Sequence, residues 1–307
     1  MADVIGARSA ALGGRASPRT AQALGLLTDY LSLVKPGIML LLVLTELATL
    51  VMASRGWPGS RLLFAAVVGG VCASGGASAF NSWFDRDLDL GMRRTAGRPL
   101  PGGRVPAWHA LALSVALTGV SVFVLGVLGN WLAAFLSICG GIFYCFVYTA
   151  WLKRWTRYNI VIGGAAGCFP PLVGWALVTG SLSALPLLMA LIVLFWTPPH
   201  FWSLALLVRD DYAQAGVPML PVVIGPRRSA SRIIAYSGLL IPLTLLPGLW
   251  LGPGYVLISL ALGCLLGVLA ILCRQRPGRR SSAVLFAYSI VYLALLFTVG
   301  AVAAVIS

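Results

Sequence analysis

Charge is scarce in this chain of 307 residues: only 10% are Asp, Glu, Lys or Arg, and just eight are acidic. A soluble domain with 59% hydrophobic residues would expose apolar patches beyond what water tolerates. Paired cysteines are missing too. Cys72, Cys139, Cys145, Cys168, Cys264 and Cys273 all fall within apolar stretches and none forms a CxxC pair. That excludes a thiolate metal site or a disulfide framework and leaves six small buried hydrophobes. Residues 1–29 lack the long apolar core of a secretory signal. They are expected to form a disordered cytoplasmic tail; their basic, acid-poor composition also suits a mitochondrial presequence.

What the chain has instead is length in apolar runs, and a stretch of roughly 18 residues crosses a bilayer core as a helix. Nine spans are expected, at about 37–54, 62–83, 107–128, 131–152, 159–178, 184–207, 231–250, 254–273 and 283–305. They predict an all-α integral membrane protein, with residues 30–307 forming one domain of nine transmembrane helices around a central cavity. All 22 basic residues except Arg55 and Arg61 fall on one side of this arrangement. The positive-inside bias makes that side cytoplasmic, with the N-terminus inside and the C-terminus outside. The net charge of +14 is therefore a topology signal. With no soluble basic domain to carry it, it does not indicate a nucleic-acid partner.

The acids are unevenly spread. Asp85, Asp87 and Asp89 follow the second span and Asp210 and Asp211 follow the sixth, all on the inner side. Four helices separate the clusters, an echo of two similar halves plus a ninth helix, and equivalent sites of this kind meet at a common cavity. The first cluster lies in NSWFDRDLDLGMRRTAGRPLPGG, residues 81–103. If the second helix continues past the bilayer edge, Asn81, Asp85 and Asp89 share one face, roughly 6 Å apart per step, and Asp87 points elsewhere. An amide and two carboxylates supply hard oxygen ligands suited to Mg²⁺, which bridges to substrate phosphates. Neighbouring arginines bind phosphate oxygens bidentately. The blander interpretation is a surface loop whose ion pairs fix topology.

This stretch resembles the first motif of the UbiA-type intramembrane prenyltransferases. LVKPG at 33–37, YTAWLKRWTRYNIVIGGAAGCFPPLVGW at 148–175 and WTPPHFWSLALLVRDDYAQAGVPMLPVV at 196–223 match in order. WTPPHFW and DDYAQAGVPMLP point to the haem-accepting branch of that superfamily. The resemblance covers about residues 30 to 305. It implies a helical fold open to the membrane, in a bacterial-type inner membrane, with its active site near the cytoplasmic face. The implied reaction transfers farnesyl from farnesyl diphosphate to a vinyl group of haem B, giving haem O and diphosphate for haem–copper oxidases. Mg²⁺ is the implied cofactor, and a haem A synthase is a possible downstream partner. One departure stands out: the second acid motif, DxxxD elsewhere in the superfamily, has Leu207 at its first position and Asp211 at its second. That puts the ligands of a second Mg²⁺ in question.

In this scheme Asn81, Asp85, Asp89 and Asp211 hold the metal, which neutralises charge gathering on the departing diphosphate. Arg94, Arg98, Lys153 and Arg209 are the candidates for direct diphosphate contacts. Tyr144, Tyr148, Trp151 and Trp155 share one face of the fourth helix at α-helical spacing. Their rings can stabilise an allylic cation, while the two tryptophans equally suit an interfacial belt. Pro198 and Pro199 are expected to break the sixth span next to His200. His200 is the candidate haem contact, through iron or a propionate. Helical spacing puts it about 16 Å from Asp211. His109 is expected at the interface, and Glu46, deep in the first span, has no evident role. The competing functions are prenyl transfer to another acceptor such as 4-hydroxybenzoate, transport of an anionic phosphate compound, and a non-catalytic haem scaffold.

Overall fold

The computed structural model describes residues 18–306, and every regular element among them is helical. Of the expected tail, residues 1–17 lie outside the described residues; from Pro18 the chain is helical, as α1 (Pro18–Val34). The long elements are α2 (Pro36–Ser54), α3 (Ser60–Phe84), α5 (Ala107–Gly129), α6 (Trp131–Trp155), α7 (Asn159–Thr179), α8 (Ala184–Leu207), α11 (Pro226–Leu245), α12 (Gly248–Gln275) and α13 (Arg279–Ile306). Short helices α4 (Arg86–Leu90), α9 (Arg209–Gln214) and α10 (Leu220–Val223) lie in the two long connections.

Eight of the long helices are long and apolar enough to cross a membrane. Helix α11 falls outside that group because Arg227, Arg228 and Arg232 occupy its first turns. Exposed leucine, valine, isoleucine and phenylalanine side chains cover the outer faces, as a bilayer solvent requires. The helices close a ring: α2 packs on α3 and α7, α3 on α5, α7 on α8, α8 on α11, α11 on α12, and α13 on α12, α8 and back on α2.

Small residues set the closest approaches. A Cβ on Gly174 of α7 would overlap the Glu46 carbonyl oxygen of α2 and lie 2.6 Å from Thr49 Oγ1. One on Gly70 of α3 would overlap the Glu46 carboxyl. Glu46 is thus buried where three helices meet, and its Oε1 has no hydrogen-bond partner among the described residues. Gly163 lies against the Tyr148 ring in the same way.

Three expectations about helix continuity change. The second span does not run on unbroken: α3 ends at Phe84, and Asp85 (φ −87°, ψ 7°) makes a turn before α4. Pro198 and Pro199 do not break α8, which runs through both; the interruption comes at Val208 (φ −118°, ψ 30°). The prolines sit at a depth where neighbouring helices absorb the loss of two amide donors, whereas the polar end offers solvent to an unwound turn. The helix expected at 231–250 lies at Pro226–Leu245, and the chain breaks instead at Gly252 (φ 79°), ahead of Pro253. Only glycine adopts that backbone without strain.

Candidate active site

Helix α6 is wound as a π-helix from Phe143 to Leu152. Its hydrogen bonds run i→i+5, so α-helical spacing no longer predicts a common face. Tyr144 and Tyr148 stay together with ring centroids 5.5 Å apart, and Tyr148 is buried. Trp151 and Trp155 turn outward, 61% and 78% exposed. The four-ring face expected from the sequence is therefore split, and the tryptophans lie on the outer surface. Substituting Gly163 by alanine forces the Tyr148 ring to move. Near-ultraviolet circular dichroism should register a changed tyrosine environment in G163A, whereas G141A, which meets nothing within 4 Å, should leave it unaltered.

Π-winding also brings Thr149 and Lys153 toward the end of α3. Despite the turn at Asp85, backbone bonds from Asp85 N to Asn81 O (2.9 Å) and from Asp89 N to Asp85 O (2.8 Å) keep helical spacing. Asn81, Asp85 and Asp89 consequently share a face, and all three are buried. Asn81 Nδ2 donates to Asp85 Oδ2 (2.7 Å) and Thr149 Oγ1 (3.1 Å). Lys153 pairs with Asp85 Oδ2, and Arg98 grips both oxygens of Asp89 at 3.0 and 2.8 Å. Asp87 points outward to Arg154 with two 2.8 Å bonds, which hold its carboxyl below the usual range.

Lys35 belongs to this cluster, and the sequence reading counted it only as a topology cation. It stands between α1 and α2 in the left-handed region (φ 53°, ψ 62°), unusual for a residue with a Cβ. That backbone kink, immediately before Pro36, sends its ammonium to Asn81 Oδ1. Burial is the main force on it, and Arg98 and Lys153 add repulsion, only partly offset by Asp85 and Asp89; its pKa falls to about 7. The Lys–Pro dipeptide at a helix boundary was the available signal.

A depressed lysine releases its proton on folding, so between about pH 7 and 10 Lys35 holds more of its proton in the unfolded chain than in the folded one. The contribution of Lys35 to stability should therefore rise with pH through that window. Lys35→Met, which removes the titrating group, should flatten the rise; chemical unfolding in detergent across pH 6–10 reads the difference.

The second acid cluster meets the first through its loops. Met92 and Tyr212 belong to one packed core, and a Cβ on Gly91 would lie 3.7 Å from the Cα of Ala215. Tyr212 is buried, which raises its hydroxyl pKa, with Arg94 beside it acting in the opposite sense. Asp211 is half-buried at this junction and makes no ion pair among the described residues. Asp210 points to solvent, 94% exposed, 3.5 Å from Arg209. Lys153 and Arg98 thus sit in the cluster, Arg94 borders it, and Arg209 is engaged at its edge.

Among the described residues no three Asp, Glu, His or Cys side chains converge as a ready metal centre. The donor set nevertheless suits a hard cation. Asp85 Oδ1 is buried and has no hydrogen-bond partner among the described residues; Arg154 Nη2 lies 3.8 Å from it. Asn81 Oδ1 and the Asp89 carboxylate lie on the same face and are held by side chains that can rotate away.

His200 is not part of this cluster. It lies inside α8, stacked between Trp196 and Phe286, with Nδ1 2.7 Å from Ser289 Oγ of α13. His109 bonds Tyr30 of α1 at 2.6 Å, toward the polar end of α5.

A closed bundle of apolar helices, with a buried carboxylate–amide face ringed by cations at one end, defines a multi-pass integral membrane protein. Residues 41–306 match the UbiA prenyltransferase family, and the chain belongs to that family. It is 47% identical over 279 residues to a protoheme IX farnesyltransferase from Roseiflexus sp. (strain RS-1), covering 90% of this chain and 52% of that protein. The chain thus spans about half the length of that relative. It is 48% identical over 282 residues to a protoheme IX farnesyltransferase from Rhodopseudomonas palustris (strain ATCC BAA-98 / CGA009), covering 88% of each. The fold is shared with a UbiA homologue from Archaeoglobus fulgidus whose structure is described as bound to DMAPP and Mg²⁺. The TM-score is 0.71 at 15% identity, over 90% of this chain and 99% of that one.

Proposed function

We propose that this protein transfers the farnesyl group of farnesyl diphosphate to a vinyl group of haem B, releasing diphosphate and giving haem O. The observation that carries the reading is the buried Asn81–Asp85–Asp89 face, with Asp85 Oδ1 unpartnered inside a ring of cations. The haem acceptor is supported by relatives near 47% identity that carry the protoheme IX farnesyltransferase name. In this reading α11 also crosses the membrane, as the seventh of nine spans, the N-terminus and the site face the cytoplasm, and the membrane is the bacterial inner membrane.

The chain's own residues divide the work. Asn81, Asp85, Asp89 and Asp211 hold Mg²⁺, which supplies Lewis-acid neutralisation of the leaving diphosphate. Lys153, Arg94, Arg98 and Arg209 take the remaining phosphate charge, and Lys35 joins them from the α1–α2 kink. The allylic C–O bond breaks with its electron pair going to diphosphate. Vinyl π-electrons of haem B attack the farnesyl cation, and water captures the resulting cation with loss of a proton. Tyr148 and Tyr144 present ring faces to the allylic charge. Apolar spans keep water from the cation until the new carbon–carbon bond has formed. His200 holds the haem. The product suits haem–copper oxidases, directly or after oxidation by a haem A synthase.

Purified protein given haem B, farnesyl diphosphate and Mg²⁺ should form haem O, seen by chromatography and mass spectrometry, and EDTA should stop it. Prenylation of 4-hydroxybenzoate in place of haem would keep the clamp and overturn the acceptor. Haem binding with no diphosphate release would favour a scaffold, and uptake of a phosphate compound into vesicles a transporter.

A further inference from the structure

A buried polar arrangement outside the charged cluster joins α8 to α13. Ser289 Oγ lies 2.6 Å from the Phe286 carbonyl oxygen and 2.7 Å from His200 Nδ1. A serine hydroxyl has one proton. Two oxygens 2.6 Å apart need that proton between them, since a bare oxygen–oxygen contact so short is repulsive. The hydroxyl therefore donates to Phe286, and toward His200 it can only accept. It follows that Nδ1 of His200 carries the imidazole proton and that Nε2 bears a lone pair.

The surroundings hold this arrangement still. Trp196 stacks on the imidazole at 4.3 Å with a 15° interplanar angle, and Phe286 does so at 4.9 Å and 26°. Trp196 Nε1 also donates to the Ser289 carbonyl at 2.8 Å, tying α8 to the turn of α13 that carries the serine. The two stacked rings thus set the ring plane, Ser289 Oγ the tautomer, and the Trp196 Nε1 bond the helix register. Among the described residues none hydrogen-bonds Nε2.

We propose that Ser289 is a positioning residue for haem B: its hydroxyl accepts the hydrogen bond from Nδ1–H of His200 and so leaves the Nε2 lone pair for the haem iron. The proposal rests on the haem reading above and adds what that reading leaves open, namely which nitrogen binds and what fixes it. A hydrogen bond of this kind orients a metal-binding imidazole and raises its basicity, and its loss typically costs 10–100-fold in affinity.

The test uses full-length protein in detergent, titrated with haem B. Absorption spectra give affinity, and resonance Raman of the ferrous form gives the iron–histidine stretch. Wild type should show the band, and His200→Ala should lose it. Ser289→Ala should weaken binding by about 10–100-fold and lower the band's frequency. Ser289→Thr, which keeps the hydroxyl, should restore both.

If His200→Ala keeps the band, His200 is not the ligand, and both the haem-contact reading and this proposal fall. If His200→Ala loses it while Ser289→Ala matches wild type, the ligand stands and the role of Ser289 is overturned. Ser289→Cys covers the case in which the alanine variant does not fold. A thiol fills the space but accepts poorly, so its band should also fall, and an unshifted band overturns the proposal.

Discussion

Asp85→Ala should reduce haem O formation by about 10²–10³-fold or more, the loss typical of removing one preorganised group that neutralises developing charge. No other side chain has so many roles in the site. It accepts from Asn81 at 2.7 Å, pairs with Lys153, keeps Arg154 within 3.8 Å and still has one buried oxygen to spare. Removing it also strands the largely buried ammonium of Lys153, and an uncompensated buried charge costs about 3–5 kcal/mol. Asp85→Asn separates the two effects, because it keeps the shape and one acceptor oxygen. It should fold and retain haem binding while losing turnover and its response to Mg²⁺. Asp210→Asn is the contrast: its carboxylate is 94% exposed, and activity should stay within about twofold of wild type. An active Asp85→Asn enzyme would remove the clamp from the mechanism.

The largest effect on folding is expected at Gly174. An added methyl would overlap the Glu46 carbonyl oxygen, and the obstacle is backbone, which no rotamer change relieves. Helices α2 and α7 would have to separate, so Gly174→Ala should destabilise by about 1–3 kcal/mol or more, as overpacking of a tight interior does. The thermal midpoint in detergent checks this against Gly119→Ala, whose new methyl meets nothing within 4 Å. Gly70→Ala offers an internal control. Its methyl meets the Glu46 carboxyl, a side chain, so Glu46→Ala in the same protein should recover much of the loss. Absence of that rescue would mean that Glu46 is not what confines Gly70.

Hydropathy made the spans legible because a bilayer demands unbroken apolar length and internally satisfied backbone. Helix ends and winding were not legible. Hydropathy averages over a window, so it carries no record of a hydrogen-bond register changing from i+4 to i+5, as it does from Phe143 to Leu152. The proline pair misled for a related reason: the interruption moved to Val208, where polar surroundings accommodate it. The NxxxDxxxD face survived the turn at Asp85, since spacing alone placed it and two backbone bonds preserved that spacing. Lys35 was hidden by its company. Among so many cations on one side, composition does not mark which ones turn inward, and Lys35 does so through a left-handed backbone angle just before Pro36. Glu46 was conspicuous from the start, and the structure supplies its neighbours but no chemical task.

The ring of Lys35, Lys153 and Arg98 around Asn81, Asp85 and Asp89 has a consequence for handling the protein. Asp89 and Asp85 already have tethered counterions in Arg98 and Lys153, so repulsion between these two carboxylates does not build up when the divalent ion leaves. The protein should therefore survive dialysis against chelator with its melting curve intact and regain full turnover when metal is returned. Its metal requirement is a switch on turnover rather than a condition for having a fold, the reverse of a zinc finger.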